Sequence, residues 1–122
     1  MNRNEGFIKG RIKSIGYAFK GFTLLITTEH SIMAQMFCLA LCTILGFCFN
    51  ISAVEWMMQT LGFGIILTAE GLNTAIEEIA DFIHPEFHKK IGKIKDISAG
   101  AVTFAALTTM VIVGIIYLPK IF

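Results

Sequence analysis

The chain has 122 residues, of which 55% are hydrophobic and 16% charged, and its formal net charge is +1. That balance excludes a nucleic-acid-binding module that works through overall basicity. Typical soluble domains are about 45–50% apolar and about 25% charged, so both percentages depart in the direction of a membrane protein. The three cysteines lie in one apolar run and do not make a secreted disulfide framework.

Residues 5–28 predict an amphipathic helix on the membrane surface. Their apolar side chains recur at three- and four-residue steps from Phe7 to Phe22, with lysines between them. This pattern is typical of a helix that lies in the interface, with its apolar face down and its lysines towards the headgroups. A plain targeting or anchoring helix is the alternative. We expect Thr27 or Thr28 to cap the helix that follows.

Three apolar runs predict membrane helices at residues 31–49, 54–77 and 97–118. A spanning helix needs about 20 residues, and the first and third runs reach that length without a charge. The second run reaches it only if it extends through Glu70 and Asn73. Together with the surface helix, these runs predict one all-α integral membrane domain that occupies residues 1–122.

The lysines and arginines predict the orientation of these helices. Residues 1–30 hold five of the ten and residues 78–96 hold four, whereas the loop at residues 50–53 holds none. The positive-inside rule therefore predicts that the N-terminus and the second loop face the cytoplasm. The C-terminus, which carries Lys120, is then on the other side.

Four polar residues of the second run share one helix face. At about 100° per residue, a stripe about 80° wide holds Glu70, Asn73, Glu77 and Asp81, and we call it the polar stripe. A carboxylate in hydrocarbon costs about 2.5–3.5 kcal/mol on insertion scales, so Glu70 indicates a partner: a metal ion, another cation or a transferable proton. Carboxylate and amide oxygens suit a hard cation such as Mg²⁺. A solvated helix face is the alternative, and it fits Asp81 better than Glu70.

A charged run at residues 89–96 leads into the third apolar run. Its lysines are mostly a positive-inside signal. Lys95 and Asp96 differ, because they lie where the third apolar run begins, level with the polar stripe if both spans end at one interface. A lysine beside a carboxylate face that binds Mg²⁺ suits the phosphates of a nucleotide. Asp96 either holds that lysine or makes a second contact.

Other motifs for phosphate or metal binding are weak in this chain. Neither a Walker motif nor the protein-kinase signature set occurs in the sequence. His84 and His88 are four residues apart, which superficially suits a metal pair. Because Pro85 lies between them and interrupts the helix, we expect structural roles in a loop.

A family resemblance is carried by EGLNTAIEEIAD at residues 70–81, HPEFH at 84–88 and KDISAGAV at 95–102, behind a basic N-terminal segment with Tyr17, Lys20 and Glu29. These segments resemble the small prokaryotic diacylglycerol kinase and undecaprenol kinase family. The resemblance covers nearly the whole chain, including its length and three-span layout. The pattern E-x-x-N-x-x-x-E with KD about eighteen residues further on is specific.

The resemblance implies a membrane lipid kinase. Such a protein is a homotrimer of three-span subunits in the bacterial inner membrane, with active sites shared between subunits at the cytoplasmic interface. It transfers the γ-phosphate of MgATP to the hydroxyl of diacylglycerol or undecaprenol, giving phosphatidic acid or undecaprenyl phosphate in phospholipid or lipid-carrier recycling. Mg²⁺ is the implied cofactor, ATP and a lipid alcohol are the implied partners, and no nucleic acid is involved.

The resemblance also implies roles for individual residues. By position, Glu70 resembles the general base at the lipid hydroxyl, and Asn73 resembles the residue that orients the reacting groups. Glu29 and Glu77 resemble Mg²⁺ ligands, and Ala99 resembles a residue that lines the lipid site beside Glu70. The positions that resemble nucleotide contacts are Tyr17, Glu86, Phe87, His88, Lys95 and Asp96.

The chain departs from the family pattern at a few positions. Gly10 stands where many diacylglycerol kinases have an arginine, and Lys9 or Arg11 is a candidate substitute. Gln35 stands where some members have a glutamate. The run at residues 95–102 is more like the undecaprenol kinases of Gram-positive bacteria, which leaves diacylglycerol and undecaprenol both open as acceptors.

Two other classes of function are weighed against the kinase. An ion or proton pathway also uses intramembrane Glu and Asn, but it needs polar groups through the whole depth of the membrane. The first and third runs offer little besides Gln35, Ser98 and threonines. A non-catalytic membrane anchor explains the N-terminal helix and leaves Glu70 and Glu77 without a purpose.

Overall fold

The computed structural model describes residues 6–122, which form four α-helices joined by short connections. The helices are α1 (Phe7–Thr28), α2 (His30–Cys48), α3 (Ala53–Ile83) and α4 (Lys89–Ile121). The predicted all-α class is confirmed for this part of the chain. Arg3, which contributes to the basic N-terminal segment, and Glu5, the first residue of the predicted surface helix, lie outside the described residues.

The helix bounds extend the predicted ones where the sequence lacks a breaker. α2 agrees with the first apolar run to within one residue at each end, but α3 continues beyond residue 77 to Ile83. The end of α3 is set by Pro85, since the residue before a proline avoids the α conformation. His84 accordingly has φ −147° and ψ 86°. The second half of the polar stripe is therefore part of the same continuous helix as the first half.

α4 begins well before the third apolar run. Its first residue is Lys89 rather than residue 97, so the charged run is helical. Lysine is a good helix former, and the Nδ1 atom of His88 caps the helix by accepting from the Lys90 N–H at 3.0 Å. Lys95 and Asp96 are therefore fixed on a helix.

The junction between α1 and α2 differs from the prediction that Thr27 or Thr28 caps α2. The N-cap residue is Glu29, and its side chain makes no capping hydrogen bond. The two threonine hydroxyls instead donate back to carbonyl oxygens of α1, at Thr23 and Leu24. Threonine commonly makes such a bond within a helix, and here it prolongs α1 to the junction.

Two of the helices, α2 and α4, are long and apolar enough to cross a membrane. α3 does not meet the same criterion of length and hydropathy, because its apolar run contains Glu55, Gln59 and Glu70. Large apolar side chains such as Phe37 and Phe104 are exposed along the helices. Contiguous apolar surface of this kind indicates a membrane or a partner chain.

The core lies where α3 packs along α4, with α2 against α3. One buried apolar cluster consists of Cys42, Phe63, Ile66 and Ala105. Nearby, the Thr109 hydroxyl lies 2.9 Å from the carbonyl oxygen of Gly62, so the backbones of α3 and α4 approach closely there. Small residues permit such an approach between membrane helices.

A buried hydrogen-bond network joins α2, α3 and α4. Gln59 is only 2% exposed, and its Nε2 atom donates to the carbonyl oxygen of Cys42 at 3.1 Å. The Tyr117 hydroxyl lies 2.6 Å from Gln59 Oε1 and 2.9 Å from the same carbonyl oxygen. An unpartnered polar group in an apolar interior costs several kcal/mol, so this network restricts how the three helices can slide past one another.

The start of α3 is stabilised by a capping box. Ser52 Oγ accepts from the Glu55 N–H at 3.2 Å, and Glu55 Oε1 accepts from the Ser52 N–H at 2.9 Å. The Lys120 ammonium donates to the second oxygen of Glu55 at 2.6 Å, which ties the end of α4 to the start of α3. Glu55 therefore has a structural role in the first turn of α3, far from the polar stripe.

We expect Gly46→Ala to destabilise the protein. A Cβ atom at Gly46 would lie 2.5 Å from Cη2 of Trp56, whose ring also packs against Phe47 with centroids 5.0 Å apart. Overpacking costs about 1–3 kcal/mol, and alanine gains only about 1 kcal/mol of helix propensity over glycine. The midpoint of thermal unfolding in detergent micelles should fall. Gly16→Ala is the control, because nothing lies within 4 Å of its added Cβ, and an increase for Gly46→Ala would contradict the expectation.

Candidate active site

The polar stripe lies on the half of α3 nearest the loop to α4. Glu70 is 9% exposed, Asn73 is half-buried, and Glu77 and Asp81 are exposed. The Nδ2 atom of Asn73 donates to Glu77 Oε1 at 3.2 Å, as the four-residue spacing predicts. The stripe thus runs from a buried carboxylate to exposed ones along a single helix.

Glu70 is the buried carboxylate of the stripe, and α2 lies beside it. The side chain of Gln35 on α2 is an electrostatic neighbour of the Glu70 carboxylate. An amide is a suitable neighbour for a buried carboxylate, because it can donate a hydrogen bond without a charge of its own. The departure from the family pattern at Gln35 is therefore next to Glu70.

Glu29 reaches the stripe from the junction of α1 and α2. Its Oε2 atom lies 3.4 Å from the Thr74 hydroxyl oxygen, which is itself 3.1 Å from the carbonyl oxygen of Glu70 within α3. The end of α1 packs closely on α3 at this level, since a Cβ atom at Gly71 would lie 3.2 Å from Leu25 Cδ1. Glu29 is distant from the stripe in sequence, and the structure places it beside Thr74, the residue after Asn73.

The stripe offers oxygen donors to a cation. The Oδ1 atom of Asn73 is buried and has no hydrogen-bond partner. Within residues 6–122, no group of three or more His, Cys, Asp or Glu side chains is arranged to hold a metal ion. Mg²⁺ commonly takes only one or two carboxylates and completes its shell with water and substrate phosphates. The neighbouring oxygens of Asn73 and Glu77 are of the chemical kind that suits an ion bound in that manner.

A groove opens beside the start of α4; most of its lining surface is apolar, and we call it the basic groove because three lysines are among its lining residues. Its volume is about 790 Å³, and it is lined by Phe87, His88, Lys89, Lys90, Gly92, Lys93 and Asp96. Phe87, His88 and Asp96, three of the six predicted nucleotide contacts, therefore share one groove with three lysines. The sequence interpretation treated those lysines mainly as an orientation signal.

Lys95 is not part of this groove lining and instead contacts α3. Its Nζ atom donates to Asp81 Oδ1 at 2.5 Å. Of the two alternatives for Asp96, the structure does not show the first, since the Lys95 ammonium contacts Asp81 and adjacent residues on a helix point about 100° apart. Asp96 lines the groove, whereas Lys95 meets the polar stripe. Asp81, for which a solvated helix face was left open as an alternative, is the carboxylate that Lys95 contacts.

The two loop histidines have structural partners. The Nδ1 atom of His84 lies 2.8 Å from the carbonyl oxygen of Glu86, and Nδ1 of His88 caps α4. Their ring centroids are 5.1 Å apart. These hydrogen bonds shape the loop between α3 and α4, as predicted.

The remaining predicted residues lie on exposed helix surfaces. Tyr17 is 69% exposed on α1, and Ala99 is exposed on α4. Lys9 and Arg11 flank the buried Gly10, and the Arg11 guanidinium lies 5.9 Å from the centroid of the Phe7 ring. Neither Tyr17 nor Glu86 is part of the groove lining described above.

Two neighbours of the stripe were missed by the sequence interpretation. Thr74 is at about 40° from Glu70 on the helix, so the helical projection alone could have placed it at the edge of the stripe. The sequence analysis put Lys95 level with the stripe but did not pair it with Asp81, because the two residues lie on different helices. The pairing depends on how α3 and α4 pack.

Four helices with extensive exposed apolar surface, and a polar stripe beside a basic groove, define an all-helical membrane-associated protein with a polar site at one end. The family model described as prokaryotic diacylglycerol kinase matches residues 16–117. The chain belongs to this family and is a lipid kinase. The alternative function, an ion or proton pathway, is not favoured by this family membership.

Similar proteins from several bacteria carry kinase names. The chain is 35% identical to the undecaprenol kinase of Bacillus subtilis, in an alignment that covers 98% of this chain and 96% of the relative. It is 26% identical to the diacylglycerol kinase of Escherichia coli strain K12, over 90% of this chain and 89% of the relative. A diacylglycerol kinase of Synechocystis sp. is also 26% identical, over 88% of this chain and 62% of the relative.

Proposed function

We propose that this protein transfers the γ-phosphate of MgATP to the hydroxyl of a membrane lipid alcohol, either diacylglycerol or undecaprenol. The observation that carries the proposal is the polar stripe itself: Glu70 is buried, and Asn73 on the same face has an unpartnered Oδ1 atom and a bond to Glu77. The names of the relatives support both acceptors, since one is an undecaprenol kinase and another a diacylglycerol kinase.

In the proposed reaction, Glu70 accepts the proton of the lipid hydroxyl. The hydroxyl oxygen forms a bond to the γ-phosphorus, and the bond from that phosphorus to the β–γ bridging oxygen breaks, releasing ADP. A positioned general base contributes about 10²–10⁴-fold to such a step. Burial beside α2 keeps water away from Glu70, so the carboxylate meets a lipid hydroxyl rather than bulk solvent. Asn73 orients the reacting groups.

The oxygens of Glu29, Asn73 and Glu77 would hold Mg²⁺. When bound, the ion would neutralise charge on the phosphates, which is the main requirement of phosphoryl transfer besides positioning. The position of Glu29 supports this arrangement, because its Oε2 atom lies 3.4 Å from the Thr74 hydroxyl oxygen on α3.

We place the nucleotide between the basic groove and the polar stripe. Lys95 meets the phosphates, and the remaining contacts come from Tyr17, Glu86, Phe87, His88 and Asp96. The three groove lysines add favourable charge for a polyphosphate. Ala99, an exposed small residue on α4, would line the path of the lipid chain.

We also propose that α2, α3 and α4 all span the bacterial inner membrane and that α1 lies in the interface as an amphipathic helix. The N-terminus is then cytoplasmic, as the distribution of lysine and arginine indicates. A homotrimer with shared active sites would enclose the polar stripe. It would also bring further carboxylates to a site where residues 6–122 of one chain supply no group of three.

We expect the enzyme to accept both lipids. Apolar helices contact acyl and prenyl chains without directional bonds, so the preference for either acceptor should stay below about 10³-fold. The purified protein in mixed micelles is given MgATP and each lipid in turn, and labelled phosphate in the lipid is measured. A larger preference would contradict the broad tolerance. If neither lipid is phosphorylated, the proposed reaction is wrong.

A further inference from the structure

We propose that Asp81 is a positioning residue. It holds the Lys95 ammonium beside the polar stripe, so that the lysine is already oriented when the nucleotide phosphates bind. This inference rests on the proposed function, because that function assigns Lys95 to the nucleotide. It adds a role for Asp81, which enters the family resemblance only as the last residue of a matched segment.

The geometry connects two helices at the site. Lys95 Nζ is 2.5 Å from Asp81 Oδ1, so the bond joins the start of α4 to the end of α3. Asp81 lies one helical turn beyond Glu77 on the polar stripe, and side chains one turn apart are neighbours. The ammonium is therefore held beside the carboxylate that we assign to Mg²⁺, where the charge of a triphosphate would be greatest.

The other carboxylates near Lys95 are engaged elsewhere. Glu77 Oε1 accepts from Asn73 Nδ2 at 3.2 Å, and Asp96 lines the groove, about 100° around α4 from Lys95. Among the described residues, Asp81 is thus the carboxylate that sets the direction of the lysine.

The pair is better suited to orienting the lysine than to stabilising the fold. The side chains of Lys95 and Asp81 are 37% and 59% exposed, and ion pairs with this much exposure contribute little to folding stability. Lysine has a long, flexible stem, so restricting it before binding reduces the entropy that is lost when the nucleotide arrives. Replacing Asp81 should therefore affect nucleotide affinity more than the stability of the protein.

The test compares Asp81→Asn, Lys95→Met and the double variant in the lipid-kinase assay. Asp81→Asn should raise the KM for ATP about three- to tenfold and should change kcat by less than about twofold. This is the loss of nucleotide affinity expected when one long side chain is no longer oriented before binding. In the Lys95→Met background the same change should have no further effect, because there is no ammonium left to orient. Asp81→Glu, which keeps the negative charge, should have a KM for ATP close to that of the wild type.

Three readouts separate orientation from other roles. The Mg²⁺ requirement and the thermal midpoint of Asp81→Asn should match those of the wild type, and Glu55→Gln, the same kind of change at the far end of α3, should leave the kinetics unchanged. The inference is overturned if Asp81→Asn leaves the KM for ATP unchanged, raises it equally without Lys95, or alters the Mg²⁺ requirement. An unchanged KM for ATP in Lys95→Met also overturns it.

Failure of the proposed function would be distinct, because wild-type protein would then not phosphorylate either lipid. Lipid phosphorylation by the wild type together with unaltered Asp81→Asn kinetics would leave the kinase reaction standing and remove only the role of Asp81.

Discussion

Replacing Glu70 by glutamine is expected to lower kcat for lipid phosphorylation by about 10²–10⁴-fold, the usual contribution of a general base. Glutamine has nearly the same shape as glutamate but cannot take the proton of the lipid hydroxyl. The KM for ATP should change little, because Glu70 is 9% exposed, lies beside α2, and is distant along α3 from the Asp81–Lys95 pair. Steady-state kinetics of the purified variant in mixed micelles give both constants.

Glu78→Gln is the matched control for this experiment. It makes the same chemical change on α3, but at about 80° from Glu70 around the helix, outside the polar stripe. Its kcat should equal that of the wild type. A neutral amide is easier to bury than a charge, so Glu70→Gln should unfold no earlier than the wild type. Activity of Glu70→Gln near the wild-type value would remove Glu70 from the role of base.

Glu77→Gln is expected to raise the Mg²⁺ concentration needed for half-maximal activity. We expect at least about a tenfold increase, since the loss of an outer partner of a metal ligand alone weakens binding by about 10–100-fold. The variant should keep its fold, because glutamine Oε1 can still accept the hydrogen bond from Asn73 Nδ2. Activity is measured as a function of Mg²⁺ at saturating ATP and lipid.

Glu55→Gln supplies the control, because it removes a charge from the far end of the same helix, and glutamine Oε1 can still accept from the Ser52 N–H. Binding of Mn²⁺, followed by electron paramagnetic resonance, gives a second readout that does not depend on turnover. Weakened Mn²⁺ binding in Glu77→Gln and unchanged binding in Glu55→Gln would support ligation. If the Mg²⁺ dependence of Glu77→Gln matches that of the wild type, Glu77 is not a ligand.

The helical class and the polar stripe could be predicted from the sequence because both depend on local spacing. Helix geometry alone puts Glu70, Asn73 and Glu77 on one face, and the bond between Asn73 and Glu77 agrees with it. The ends of α3 and α4 were predicted less well. Hydropathy marks the apolar part of a helix, whereas the helix itself continues through polar residues until a breaker such as Pro85.

Contacts between helices were decided by tertiary structure. Glu29 meets Thr74 across 45 positions of sequence, Gln59 meets Tyr117 across 58, and Asp81 meets Lys95 across 14. The rotation and axial offset of each helix determine which side chains touch, and these follow from packing over the whole length of α2, α3 and α4. The sequence by itself therefore determined the chemistry available on each helix, and the tertiary structure decided which of those groups lie within bonding distance of one another.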